Sequence, residues 1–224
     1  GQGTVLQQNG TTTLALKSLT NQGQMALGSQ ALVQAETITN SGLLTATELQ
    51  LQTDQLANSG QLSAALLQID SKILNNDNGV LASTSGFGES LKLNTPGQIS
   101  NRGGLIQSAG QQLQLLQGVD NRAGEIRLLG TGVLSIDALQ NQQGTVVSAG
   151  ALTLTGDTEN SAGVLQAAGQ LNLTAEQFNN AQGLVYGQQG LVIQADSLNN
   201  RQGTIAAAGQ ANIQANELQN QNGV

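Results

Sequence analysis

The chain has 224 residues, a net charge of −7, no cysteine, no histidine, one proline and three aromatic residues. That composition excludes disulfides and thiolate metal sites, His-based zinc sites, and nucleophilic triads built on histidine. The acidic balance speaks against generic nucleic-acid or anionic-membrane binding, and the lack of a run of about 18 apolar residues speaks against a membrane-spanning helix.

An asparagine and a glycine return along the whole sequence. Gly3 fits as the tail of a first beat. Three compressed beats follow at Asn21-Gln-Gly23, Asn40-Ser-Gly42 and Asn58-Ser-Gly60. Longer ones come next, at Asn76-Asp-Asn-Gly79 and Asn101-Arg-Gly-Gly104. The last six are Asn121-Arg-Ala-Gly124, Asn141-Gln-Gln-Gly144, Asn160-Ser-Ala-Gly163, Asn180-Ala-Gln-Gly183, Asn200-Arg-Gln-Gly203 and Asn220-Gln-Asn-Gly223. Successive glycines from Gly23 onward lie 18 to 20 residues apart with one exception. A fixed period of this length means stacked units, not one globular core.

Two columns run through the beats. Two residues after each glycine stand Val5, Met25, Leu44, Leu62, Leu81, Ile106, Ile126, Val146, Leu165, Val185 and Ile205, all apolar. Two residues before each asparagine stand Leu19, Ile38, Leu56, Leu74, Ile99, Val119, Leu139, Thr158, Phe178, Leu198 and Leu218, with Thr158 the only polar member. Between them most coils carry an alternating pair such as Leu14/Leu16, Leu91/Leu93 or Leu171/Leu173. Alternation with period two marks a strand with one buried face, and the three-and-four spacing of a helix is missing.

Each coil therefore reads as about three short strands divided by corners. One corner is the Asn-x-x-Gly segment; another carries small-residue turns such as Ser108-Ala-Gly110 and Ala167-Ala-Gly169. Glycine is expected to supply the positive φ that tight corners need. Strands that recur once per coil in one direction must pair in parallel. The predicted fold is all-β: a right-handed parallel β-helix of about eleven coils, with residues 1–224 as a single repeat segment and a length of roughly 50 Å. Asparagine amides at the corner are expected to stack and hydrogen-bond from coil to coil. The pattern is unbroken at both ends, which suggests a piece of a longer rod whose open edges could self-associate end to end.

The exception is the coil from Gly79 to Gly104, 25 residues long. Its surplus falls near Ser85-Gly-Phe-Gly88-Glu-Ser90 or near Asn94-Thr-Pro-Gly97. A protruding contact loop would use Ser85, Gly86, Phe87, Gly88, Glu89, Asn94 and Pro96. The plainer reading is an insertion tolerated at a corner, which costs little.

Carboxylates recur four residues before the asparagine, as Glu36, Asp54, Asp137, Glu176 and Asp196. Paired carboxylates can do acid/base chemistry or bind calcium. Sugar-degrading sites, however, want a groove, a basic partner and aromatic platforms, and solvated edge charges that block aggregation account for the column. Arg102 and Arg122 occupy equivalent places beside Asp120, with Arg201 far along the rod; two arginines do not make a nucleic-acid patch. No enzymatic centre and no cofactor are expected.

Units such as Asn180-Ala-Gln-Gly183-Leu-Val185 and Asn200-Arg-Gln-Gly203-Thr-Ile205, each followed by a small-Gly corner and an aliphatic pair, resemble filamentous haemagglutinin repeats. Such repeats build the shafts of two-partner-secreted exoproteins of Gram-negative bacteria, including contact-dependent growth inhibition toxins of the CdiA type. The resemblance covers essentially the whole chain. It implies a filament exported through a dedicated outer-membrane transporter, located at the cell surface, that projects a receptor-binding or toxin region toward a receptor or glycan on another cell. The departures are the short Asn-x-Gly corners, the long coil and Thr158.

Overall fold

A computed structural model describes residues 10–224. Gly3 and Val5 lie outside that range. Every regular element among the described residues is a β-strand, from Thr11–Asn21 to Gln210–Gln219. Each strand pairs in parallel with its equivalent one coil away, as Leu165 with Val185 and Val185 with Ile205. The chain is a parallel β-helix of about eleven turns, one per asparagine beat.

The repeating columns fill its bore. Leu44, Leu62, Leu81, Ile106, Ile126, Val146, Leu165 and Val185 are fully buried. So are Ile38, Leu56, Leu74, Ile99, Val119, Leu139, Phe178 and Leu198 in the second column. Thr158 is buried there too, stacked against Phe178 of the next coil. Its hydroxyl donates to the Gly156 carbonyl at 3.3 Å, so the small side chain beside the large one carries no unpaired polar atom. In the first and last described coils Leu16, Ile213 and Leu218 are exposed.

The pattern suggests three strands per coil, and the coils spanning Val80–Ser100 and Leu105–Asp120 have three; most of the others hold two. In the regular coils a four-residue strand, such as Val164–Ala167, is followed by a long one, such as Gln170–Asn179. The long strand takes in both the alternating pair and the residue before the asparagine. It bends where pairing skips one residue, between Ala175↔Ala195 and Gln177↔Ser197. Backbone hydrogen bonding resumes at once, so the bend does not end the strand. In the early coils the small-residue corner is also paired through, giving Leu43–Asn58 and Gln61–Asn75 as strands of 16 and 15 residues.

The asparagine corner carries an unbroken amide ladder. Each Asn Nδ2 donates to the Oδ1 of the asparagine one coil on, from Asn21→Asn40 at 2.7 Å to Asn200→Asn220 at 2.7 Å. The intervening links measure 2.7–2.8 Å. The same nitrogen also reaches two carbonyls, as Asn160 does to Gly163 and Leu184 at 3.3 Å. The ladder asparagines from Asn21 to Asn200 are all buried, so each satisfied amide avoids the desolvation cost of an orphaned one.

The corner glycines play a different part from the one expected. In the four-residue corners the left-handed residue is the one before the glycine: Asn78, Gly103, Ala123, Gln143, Ala162, Gln182, Gln202 and Asn222, with φ between 53° and 60°. The glycine itself is needed for close approach. A Cβ on Gly163 would fall under 3.0 Å from the Asn141 carbonyl oxygen of the coil beneath. Axial stacking of backbone on backbone, not torsion, selects glycine there.

Candidate functional site

The 25-residue coil is where the regular surface changes. Its neighbours fix the register: Ala64 pairs with Ser83, Leu67 with Leu91, Asp70 with Asn94 and Asn75 with Ser100. Residues 84–90 therefore span a corner that the coil beneath turns with residues 65 and 66. Residues 95–99 replace 71–74. The surplus is split between both of the places that the sequence suggested, with most of it in 84–90. The amide ladder passes straight through, with Asn76 donating to Asn101 at 2.7 Å.

The larger insertion is tied down on both sides. Thr84 and Ser85 N–H groups donate to Ala64 and Ala65 carbonyls at 2.9 and 3.0 Å. On the other side the N–H of Gln111 donates to the Gly88 carbonyl at 2.6 Å, and Gln111 Nε2 to the Gly86 carbonyl at 3.2 Å. Gly88 turns the tip with φ 56°. At the base, the hydroxyls of Ser83, Ser90 and Ser108 form a buried triangle with edges of 2.8, 3.3 and 3.3 Å. Phe87 is left 86% exposed at the tip.

Open grooves flank this ridge, and Glu89 lines both. One, of about 440 Å³, runs over the outward faces of the preceding coils past Glu48, Gln50, Leu66, Gln68 and Lys92. The other, of about 410 Å³, takes in Asn94, Pro96, Gln114 and Leu116. Asp70 organises the strand face between them, accepting Gln50 Nε2 at 3.3 Å, Gln68 Nε2 at 2.9 Å and Asn94 Nδ2 at 2.6 Å. Lys92 pairs with Glu89 at 3.7 Å.

Of the predicted contact residues, Gly86, Phe87, Gly88, Asn94 and Pro96 are exposed, and Ser85 and Glu89 half-buried. The two groups meet at Glu89. Sequence reasoning did not single out Leu66, Gln68, Asp70 or Lys92. It placed Ser90 at the end of the surplus stretch but gave it no contact role, and its buried bonds to Ser83 and Ser108 show only in the fold. The amides were hidden by the abundance of Gln and Asn in every coil.

Four of the five column carboxylates lie at the bend of the long strand; the fifth, Asp137, stays in register with Thr155 and accepts from its hydroxyl at 3.3 Å. Glu36, Asp54, Glu176 and Asp196 are the residues that the pairing skips. Lys17 and Lys72 share this place, and Lys72 Nζ bonds Asp54 at 2.8 Å. Asp196 accepts from Asn216 Nδ2 at 3.0 Å. Among the described residues no three acidic side chains converge as a metal site would require.

The arginine pair grips Asp120. Arg102 Nε lies 2.6 Å and Arg122 Nη2 2.7 Å from Oδ2, and Arg122 Nε 2.9 Å from Oδ1. The Asp120 side chain is 3% exposed, against 55% and 44% for the arginines. The Arg122 hydrogen bonds hold its carboxyl at about 2; burial opposes this, and Arg102 adds to it. The Arg122 guanidinium is raised above its usual range by the same contact. Arg201 instead bonds Gln221 at 3.0 Å.

Fold and surface together define a β-solenoid rod with one built ridge on its flank. No family model, curated protein or solved structure matches this chain.

Proposed function

We propose that the chain is a shaft segment of a secreted bacterial surface filament, an adhesin or a contact-dependent growth inhibition exoprotein. It holds a receptor-binding or toxin region away from the cell that makes it. The observation that carries this reading is the unbroken axial ladder of buried asparagines above a continuous aliphatic bore. Such a rod turns chain length into reach at about 4.8 Å per coil. Each new coil docks on the edge of the last, so the rod can form progressively as it leaves a narrow pore. The resemblance of the repeat units supports the export route, with an outer-membrane transporter of the two-partner type as the export partner.

The test is protease shaving of intact producing cells, with and without that transporter. Surface-exposed protein that disappears from the surface when the transporter gene is deleted is the expected outcome. Protein that stays inside the cell in both strains overturns the reading.

A second reading, a glycan- or receptor-binding module, is favoured by one feature: the tethered ridge, with Phe87 exposed at its tip and Glu89 lining a groove on either flank. Deleting the surplus residues then abolishes binding to target cells and leaves the rod folded.

A further inference from the structure

We infer that the ridge at residues 85–92 and the groove beside it form a binding site for a neutral hexopyranose oligosaccharide, with Phe87 as its stacking platform. This deepens the glycan-binding reading and rests on it, but not on the export route.

Phe87 is the starting point. The chain has three aromatic residues; Phe178 is 1% exposed in the bore and Tyr186 is half-buried on a flat face. Phe87 alone is presented to solvent, which forgoes the stabilisation that burying its ring would bring. It is not presented on a slack loop. The hydrogen bonds from Ser85 to Ala65 and from Gln111 to Gly86 and Gly88 fix the ridge to both neighbouring coils, and the Ser83–Ser90–Ser108 triangle anchors its root. A contact residue held in place before binding loses little entropy on binding.

The groove supplies the complementary chemistry. A pyranose has hydroxyls around its rim, each both donor and acceptor, and faces of C–H bonds that carry partial positive charge. The C–H face suits the negative face of a phenyl ring. The rim suits planar amides and carboxylates. Gln50 and Gln68 line the groove with their amides oriented by Asp70, and Glu48, Glu89 and Lys92 border it. Half-exposed Leu66 adds an apolar strip to the floor. Each coil adds one such row every 4.8 Å or so, close to the rise of one sugar in an extended glycan. The floor sets the amides of Gln30, Gln50 and Gln68 beside the aliphatic Leu32 and Leu66, a mixture that suits a pyranose with both hydroxyls and C–H faces, and a protein anchor seeking apolar burial alone would leave those amides unpaired. Glu48 and Glu89 against a single lysine, on a chain of net charge −7, disfavour acidic polysaccharides.

The test uses the purified 224-residue chain, isotope-labelled for amide NMR. It is titrated separately with maltohexaose, cellohexaose, N-acetylchitohexaose and, as the anionic arm, a hexagalacturonate. At least one neutral hexamer is expected to shift the backbone amides of 85–92 and the side-chain amides of Gln50 and Gln68. Phe87→Ala is expected to weaken that binding about tenfold with an unchanged melting temperature, as for a solvent-exposed hot-spot aromatic. Tyr186→Ala, on another face, is expected to leave it intact. Four results overturn the inference. One is silence with all three neutral hexamers at millimolar concentration. Another is undiminished binding by Phe87→Ala, and a third is equal or tighter binding of the hexagalacturonate. The fourth concerns whole target cells: attachment lost in Phe87→Ala but undiminished after enzymatic removal of surface glycans assigns the ridge to a protein partner.

Discussion

The early coils and the later ones turn the same asparagine corner by different means. At Asn21, Asn40 and Asn58 one residue separates asparagine from glycine, and none of Gln22, Ser41 or Ser59 is left-handed. From Asn76 onward two residues intervene and the second is left-handed each time. The strands differ as well: 16 and 15 residues without a break at Leu43–Asn58 and Gln61–Asn75, against four plus ten at Leu184–Gly187 and Gly190–Asn199. The amide link does not differ. Asn40→Asn58 and Asn141→Asn160 both measure 2.7 Å, and so does Asn76→Asn101 across the 25-residue coil. One buried asparagine per coil is the fixed element, and the loop around it is adjustable. This is why an insertion large enough to build a ridge leaves the rod's axis undisturbed.

The most damaging way to test that equivalence is to remove a rung on each side. Asn141→Ala deletes the donor to Asn160 Oδ1, Gly144 O and Val164 O, and takes from Asn121 Nδ2 its shortest acceptor, Asn141 Oδ1. A loss of about 3–5 kcal/mol is expected from several unmade buried hydrogen bonds. Asn40→Ala should cost the same within error, in urea unfolding followed by circular dichroism. A cost at Asn40 less than half that at Asn141 breaks the equivalence, because the ladder would then matter only where the corner is long.

Next in size is the glycine. Gly163→Ala puts a Cβ under 3.0 Å from the Asn141 carbonyl oxygen and 2.6 Å from Asn160 Oδ1, and overpacking of this kind costs about 2–3 kcal/mol. Gly60→Ala meets the Ser41 carbonyl carbon at 2.5 Å and should lose a similar amount. In the ridge, Gly86→Ala meets nothing nearer than Ala109 O at 4.0 Å and should be close to neutral. Thermal melts of the three variants separate stacking from simple intolerance of side chains.

These contrasts mark where the sequence was legible. Strict recurrence exposed the bore columns, the parallel register and the amide ladder, because each demands the same residue type once per coil. Glycine recurred as strictly, yet recurrence cannot tell a torsional need from a steric one. Ala123, Gln143 and Ala162 carry the torsion and look like any loop residue. The bend at Glu176 was read as a carboxylate column, since a turn without glycine or proline leaves only its outward side chain as a mark. The ridge was located, but its partners were not: Gln50, Gln68 and Asp70 gain meaning only from the strand that stacks beside them.

The arginine clamp next to the long coil gives a third, smaller contrast. The Asp120 pKa is about 2 in the folded chain against an ordinary 3.8, so the folded state favours the ionised form. Its contribution is full above 3.8 and is lost as pH falls through the folded value. Half-exposed arginines let solvent screen the pair, so the expected loss is about 1–2 kcal/mol between pH 5 and pH 2. The stability difference between the native chain and Asp120→Asn, measured at both pH values, should shrink by that amount. A difference that stays constant means the clamp does not depend on the carboxylate charge.

The smallest effect is the sharpest, because it predicts opposite signs. Ala162 sits at φ 55°, a conformation that costs a residue with a Cβ about 1–2 kcal/mol. Replacing it with glycine removes that strain, at an entropic cost of about 0.5–1 kcal/mol from the looser unfolded chain. Ala162→Gly should therefore stabilise the rod by up to about 1 kcal/mol. Ser59, exposed at the matching place in a short corner, is not left-handed, so Ser59→Gly gains nothing in the folded state and loses about 0.5–1 kcal/mol. Both variants keep the glycine and the asparagine that flank them, so the ladder is common to the two. Shifts of opposite sign in one melting assay establish that the corners are distinct structures serving one amide column. A shared sign means that the extra residue after Asn76 is carried without strain, and that the two halves of the rod differ in length of loop alone.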